Sequence, residues 1–148
     1  MAIPGFNDHG WLPEGIHDCT LAEAEACFGG FHDSDRRPKL WGKFKEFFRE
    51  ANVSGLLEAV LLDGSFVTTR PDANDIDLVL IVGSQHDFAA DLPPGHYNLL
   101  AQMRVRKRFG FDIVVVRNDS ENLEQAITFF QQVRQQPGAK KGILRIKL

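Results

Sequence analysis

The apolar positions of this chain switch between helical and strand-like spacing several times, and the switches divide it into elements. Thr20 to Glu23, "TLAE", is a capping-box pattern that opens a short helix ending near Gly29 and Gly30. After a polar loop, "FHDSDR" (31–36), the positions Leu40, Phe44, Phe47, Phe48 and Ala51 recur at helical spacing. They predict a helix over 38–51, stopped by Asn52 and Gly55. "LLEAVLLDG" (56–64) and "DIDLVLIVG" (75–83) are nearly continuous apolar runs, as expected of strands buried on both faces. "QHDFAADLPPG" reads as a loop. "HYNLLAQMRVRKRFG" reads as a helix with Tyr97, Leu100 and Met103 inward, and "FDIVVVRND" (111–119) as a third strand. Leu123, Ala126, Ile127, Phe130 and Val133 make one stripe of a helix over 121–136. The turn "PGAKKG" then leads into a terminal strand, "ILRIKL". Residues 1–19, rich in Gly, Pro, Asp and His, show no period and are expected to form an extended arm lying on the domain or on a partner.

Strands alternating with helices predict one α/β or α+β domain over 1–148, with a small mixed sheet of about four strands. The length of 148 residues allows a sizeable core. A net charge of −3 argues against general duplex nucleic-acid binding. The two cysteines, Cys19 and Cys27, form no CxxC and no disulfide framework, which suits a reducing compartment. The first residues lack a basic segment followed by an apolar one, and no apolar run approaches ~20 residues. The expectation is a cytoplasmic protein with no membrane segment.

The candidate chemistry lies in "GSFVTTRPDANDID" (64–77). On a strand, Asp75 and Asp77 share a face ~6.6 Å apart. Asp112 opens the next strand, so neighbouring strands in the right register would bring three carboxylates to one sheet edge. Crowded carboxylates raise one another's pKa unless a cation compensates them. A hard divalent ion with oxygen ligands, Mg²⁺ above all, fits that need. Two such ions ~3.5–4 Å apart clamp the entering and leaving oxygens of a phosphoryl displacement. Gly64 allows close approach of the backbone to a phosphate, and the amide and hydroxyl of Ser65 are donors for its oxygens.

"LLDGSFVTTRPDANDIDLVLIV", with Asp112 in "FGFDIVVV", resembles the polymerase-beta-type nucleotidyltransferase superfamily over residues 56–117. The flanks "LPEGIHDCT" and "KGILRIKL" are similar to those of short bacterial proteins with this core. The resemblance implies a minimal nucleotidyltransferase fold and an Mg²⁺-dependent transferase. In this reading Asp75, Asp77 and Asp112 hold two metal ions, and Gly64, Ser65 and Arg70 bind a nucleoside triphosphate. A nucleoside monophosphate such as AMP passes to a protein or RNA acceptor, and a partner protein or a homodimer completes the site. The sequence departs from the resemblance in "FVTTRP" after the serine, and in Asp63, whose charge would repel phosphate unless it points away.

The alternative is a catalytically silent binding module of the same fold, acting as a subunit of a bacterial toxin–antitoxin or defence-type complex. A metal-dependent nuclease is disfavoured because it needs no triphosphate cradle. "RVRKR" (104–108) reads as a solvated helix end, with Arg106 or Lys107 reaching a triphosphate as the sharper reading. His9, His17, Cys19 and His32 match no common zinc spacing. Trp11 and Trp41 read as packing residues, Trp11 alternatively as a partner anchor on the arm, and Cys27 as core. No GxGxxG, Walker A or Ser-His-Asp signature is present.

Overall fold

In the computed structural model, residues 3–30, 35–70, 73–133 and 136–148 are described. The elements run β1 (Gly15–Cys19), α1 (Leu21–Phe28), α2 (Arg36–Ser54), β2 (Leu57–Asp63), β3 (Asp77–Val82), α3 (Tyr97–Leu100), α4 (Gln102–Phe109), β4 (Asp112–Arg117), α5 (Glu121–Gln131) and β5 (Gly142–Lys147). Together they make a mixed α/β fold around one five-stranded sheet of order β1-β5-β2-β3-β4. Strand β2 is antiparallel to β3 and β5, while β3–β4 and β1–β5 are parallel pairs.

The local signals explain most boundaries. Thr20 caps α1 with the full reciprocal box: its hydroxyl accepts from the Glu23 amide at 3.1 Å, and Glu23 returns a carboxylate to the Thr20 amide at 2.9 Å. Helix α2 starts two residues before Pro38, which sits harmlessly in the first turn where amides have no intrahelical partner. It runs past Asn52 to Gly55, whose φ of 68° provides the left-handed stop.

Four expectations are corrected. The stretch expected as an arm contributes β1, and Ile3 and Leu12 within it are buried; the sheet therefore has five strands, not four. The helix expected over 96–109 is two helices, because Ala101 adopts an extended conformation (ψ 117°). That break turns Val105 and Phe109 inward and leaves Met103 86% exposed. Helix α5 stops at Gln131, so Val133 lies beyond it. Strand β3 begins at Asp77, not Asp75.

The sheet separates two cores. One face carries Val60, Leu62, Leu78, Leu80, Ile113 and Leu144, packed with Trp41, Phe44, Phe47 and Ala51 of α2 and with Phe66 and Phe111. The other carries Ala59, Leu61, Val79, Ile81, Val116 and Ile143, against which Leu123, Ala126, Ile127 and Phe130 of α5 rest only partly buried. Because strand side chains alternate, Asp63, Asp77 and Asp112 all fall on this second face.

Candidate active site

Strand β2 ends in a sharp turn. Gly64 has φ 93°, and a Cβ there would stand 2.8 Å from the carbonyl oxygen of Asp75 and 3.1 Å from the Asp77 amide. Only glycine fits without a shift. A single 3₁₀ turn, Ser65–Val67, follows. Ser65 fastens it to the incoming chain: its hydroxyl accepts from the amides of Asn74 (2.9 Å) and Asp75 (3.3 Å). Its own amide (3.1 Å) and its hydroxyl both donate to Asp75 Oδ1. The donors expected for a phosphate thus hold a carboxylate, and Asp75 folds back onto the turn rather than continuing the strand.

From beneath, Arg37 of α2 secures the same segment. Its fully buried guanidinium donates to the carbonyls of Phe66 (2.7 Å), Thr68 (2.7 Å), Arg70 (2.6 Å) and Phe28 (3.2 Å), and lies 5.2 Å from the centre of the Phe66 ring. Burial draws its pKa down to about 10, which leaves it charged at neutral pH.

Asp77 is the centre of the acidic end of the sheet. It pairs in register with Asp63 on one side and with Asp112 on the other. Its pKa is pushed up to about 6, first by burial and then by the charges of Asp75, Asp63 and Asp112, with Lys141 opposing. Asp63 is buried and its pKa is also raised by burial. Lys141, just before β5, brings Nζ to 3.1 Å from its Oδ1, close enough for an ion pair but not aligned as a hydrogen bond. Asp63 therefore faces a lysine that offsets its charge, although it also meets the Gly64 amide and lines the same cleft as the turn. Asp112 is exposed at the sheet edge and is gripped by Arg106 of α4, whose Nε donates to Oδ1 at 2.8 Å.

Sequence reasoning thus names four acidic positions, of which the register draws Asp63, Asp77 and Asp112 to one end of one face while Asp75 stays in the loop before β3, and it misplaces their partners. Among the described residues, no three His, Cys, Asp or Glu side chains already stand as a group able to hold a metal ion. Asp75 turns to Ser65 and Asp112 to Arg106. The donor set still suits Mg²⁺: every ligand is a carboxylate, and their mutual repulsion adds to burial in raising the pKa of Asp77. Arg106, a candidate for reaching phosphate, is instead the partner of Asp112, and Arg108 pairs with Glu50 at 2.7 Å. Of the residues weighed for zinc, His17 Nε2 contacts the Pro13 carbonyl at 2.7 Å, burial raises the Cys19 thiol to about 12, and His32 lies outside the described residues.

The acidic end opens into a cleft of about 860 Å³, a size typical of small-molecule sites at roughly 300–1,000 Å³. Gly64, Ser65, Arg70, Asp75 and Asp77 all line it, and Asp112 does not. Sequence reasoning misses several other walls of this cleft, among them Lys141, the His9–Trp11 pair and Phe129. One signal was available for the lysine: an acid ending an apolar strand needs a cation, and "AKKG" precedes a strand that could lie alongside it.

No curated protein and no solved structure matches the chain. A family does match, across residues 4–147, and the chain accordingly belongs to the family of unknown function DUF6932.

Proposed function

We propose that this protein is an Mg²⁺-dependent nucleotidyltransferase acting on a nucleoside triphosphate and a protein or RNA hydroxyl. One observation carries the reading: Asp77 is flanked in register by Asp63 and Asp112, directly beside the Gly64–Ser65 turn. Asp75, Asp77 and Asp112 would hold magnesium, which when bound neutralises the charge of the triphosphate. Gly64 lets the backbone come close to a phosphate. The Ser65 amide and hydroxyl exchange the Asp75 carboxylate for a phosphate oxygen, which frees Asp75 for the cation. Arg37 keeps the turn in shape throughout. The acceptor oxygen bonds to the α-phosphorus as the bond to the pyrophosphate oxygen breaks, and the acceptor proton passes to a carboxylate at this end of the sheet. Asp112 is exposed on the edge strand, which suits a role toward the acceptor. Positioning and charge neutralisation supply most of the rate.

A second reading, a silent module that keeps the fold and does not turn over, is favoured by the partners that Ser65 and Asp112 already have. Pyrophosphate release separates the two. The transferase binds nucleoside triphosphate in the presence of Mg²⁺ and releases pyrophosphate, and Asp77→Asn removes both without loss of fold. Mg²⁺-independent behaviour that ignores Asp77→Asn is the signature of the silent module.

A further inference from the structure

We infer that the cleft beside the acidic end takes the base of a nucleotide on an aromatic wall led by Trp11, without reading the base's edge. This rests on the nucleotidyltransferase reading and extends it to the part of the substrate remote from the phosphates. Trp11 lines the cleft that also holds Ser65 and Asp77, and His9 stacks on its indole with ring centres 4.6 Å apart and planes within 19°. The segment is not loose. Asn7 closes it, with its amide on the Trp11 carbonyl at 2.8 Å and its side chain accepting from the Trp11 amide at 3.1 Å. Gly10 accepts from the Thr69 amide at 3.0 Å, and Trp11 bridges Thr68, at the end of the serine turn. The aromatic wall is therefore fastened to the residues that follow the Gly64–Ser65 turn, so the distance between the two is fixed by the backbone.

A second ring pair lines the same cleft. Phe129 and Phe130 meet edge to face at 5.3 Å, and Phe129 is 60% exposed although it is a large apolar side chain. Lys140, paired with Glu14 at 3.3 Å, and Lys141, paired with Asp63 at 3.1 Å, line it too, with the carboxylates of Asp63, Asp75 and Asp77. With magnesium on the acids, the cleft suits a ligand that carries negative charge at one end and a flat, polarisable ring at the other, which is the chemistry of a nucleotide. Rings offer a stacking face to every base alike, so the site tolerates different bases and favours the larger purines.

Tryptophan emission tests this directly, because the chain has two tryptophans and Trp41 is buried in the core at 2% exposure. With Mg²⁺ present, ATP and GTP should quench Trp11 emission while inorganic tripolyphosphate does not. Trp11→Leu should abolish the quenching and weaken ATP about tenfold or more, with tripolyphosphate affinity unchanged. Phe129→Ala, at an exposed position that folding tolerates, should weaken ATP severalfold. If both variants bind ATP as the parent does by calorimetry, with the Asp77→Asn loss intact, stacking is overturned and the transferase reading stands. If the parent binds neither ATP nor tripolyphosphate, both fall together.

Discussion

On one face of the sheet, α2 drives Trp41, Phe44 and Phe47 into fully closed contact. Phe28, Phe66, Phe109 and Phe111 complete an aromatic network whose ring centres lie 5.2 to 6.4 Å apart. On the other face α5 contributes no buried residue, and its apolar stripe lies half-covered over a smaller cluster. The strands are the same; the cover is not. Period-two alternation places Asp63, Asp77 and Asp112 on the thinly covered face, where Asp63 is buried beside Lys141, Asp77 is half-buried and Asp112 is exposed. The closed face fixes the backbone that the acids stand on, and the open face leaves a cleft beside Asp63 and Asp77.

The largest expected effect tests that division of labour. Phe44→Ala should cost about 3–5 kcal/mol, since a fully buried ring leaves a cavity. Leu123→Ala, on the half-covered stripe, should cost about 1 kcal/mol. Chemical denaturation of the two variants measures the gap, and equal losses would erase the distinction between the faces. Next comes Arg37→Met, which keeps the apolar stem but leaves the carbonyls of Phe28, Phe66, Thr68 and Arg70 without their buried donor. A loss of about 3 kcal/mol is expected, together with faster amide exchange at Phe66 and Thr68. Unchanged exchange there would mean that the turn holds its own shape.

How far these features were legible in the sequence follows the range of the forces involved. The α1 cap, the α2 apolar face and the β2 and β3 runs are local signals, and they read correctly apart from the start of β3, which is Asp77. Period two gives a shared face to Asp75 and Asp77, but Asp75 lies before the strand, and the pairing of Asp77 with Asp112 needs the strand order and register, which no local pattern contains. Strand β1 was missed because what holds it is distant: Asp18 meets Arg145 through a two-pronged ion pair, 127 positions along the chain. Arg37 was missed because its hydrogen-bond acceptors are carbonyls of a loop, and every residue type supplies a carbonyl. Met103 was misassigned because a single extended residue, Ala101, resets the helical phase. For the site, residue types were readable while partners were not: Asp75 on Ser65 and Asp112 on Arg106 are outcomes of packing.

The smallest effect sharpens the comparison most, because it isolates the charge that the open face carries. Asp77 titrates near 6 in the folded chain against an ordinary 3.8. Between those values the folded chain keeps a proton that the unfolded chain has released. Stability therefore falls as pH rises through this window and levels off above it. Asp77→Asn removes the penalty. The variant should gain about 1 kcal/mol over the parent at pH 7, after allowance for the solvent that reaches the group, and nothing at pH 3. Thermal melts should show this as a Tm difference of about 2–4 °C that vanishes on acidification. Mg²⁺ should raise the parent's Tm at pH 7 and leave the variant's nearly unmoved, since an ion that binds only the folded state stabilises it by mass action, as the logarithm of its concentration over its dissociation constant. A variant that gains nothing at pH 7 would show that the neighbouring carboxylates do not burden Asp77. The open face would then be thinly covered without being electrostatically prepared for a cation.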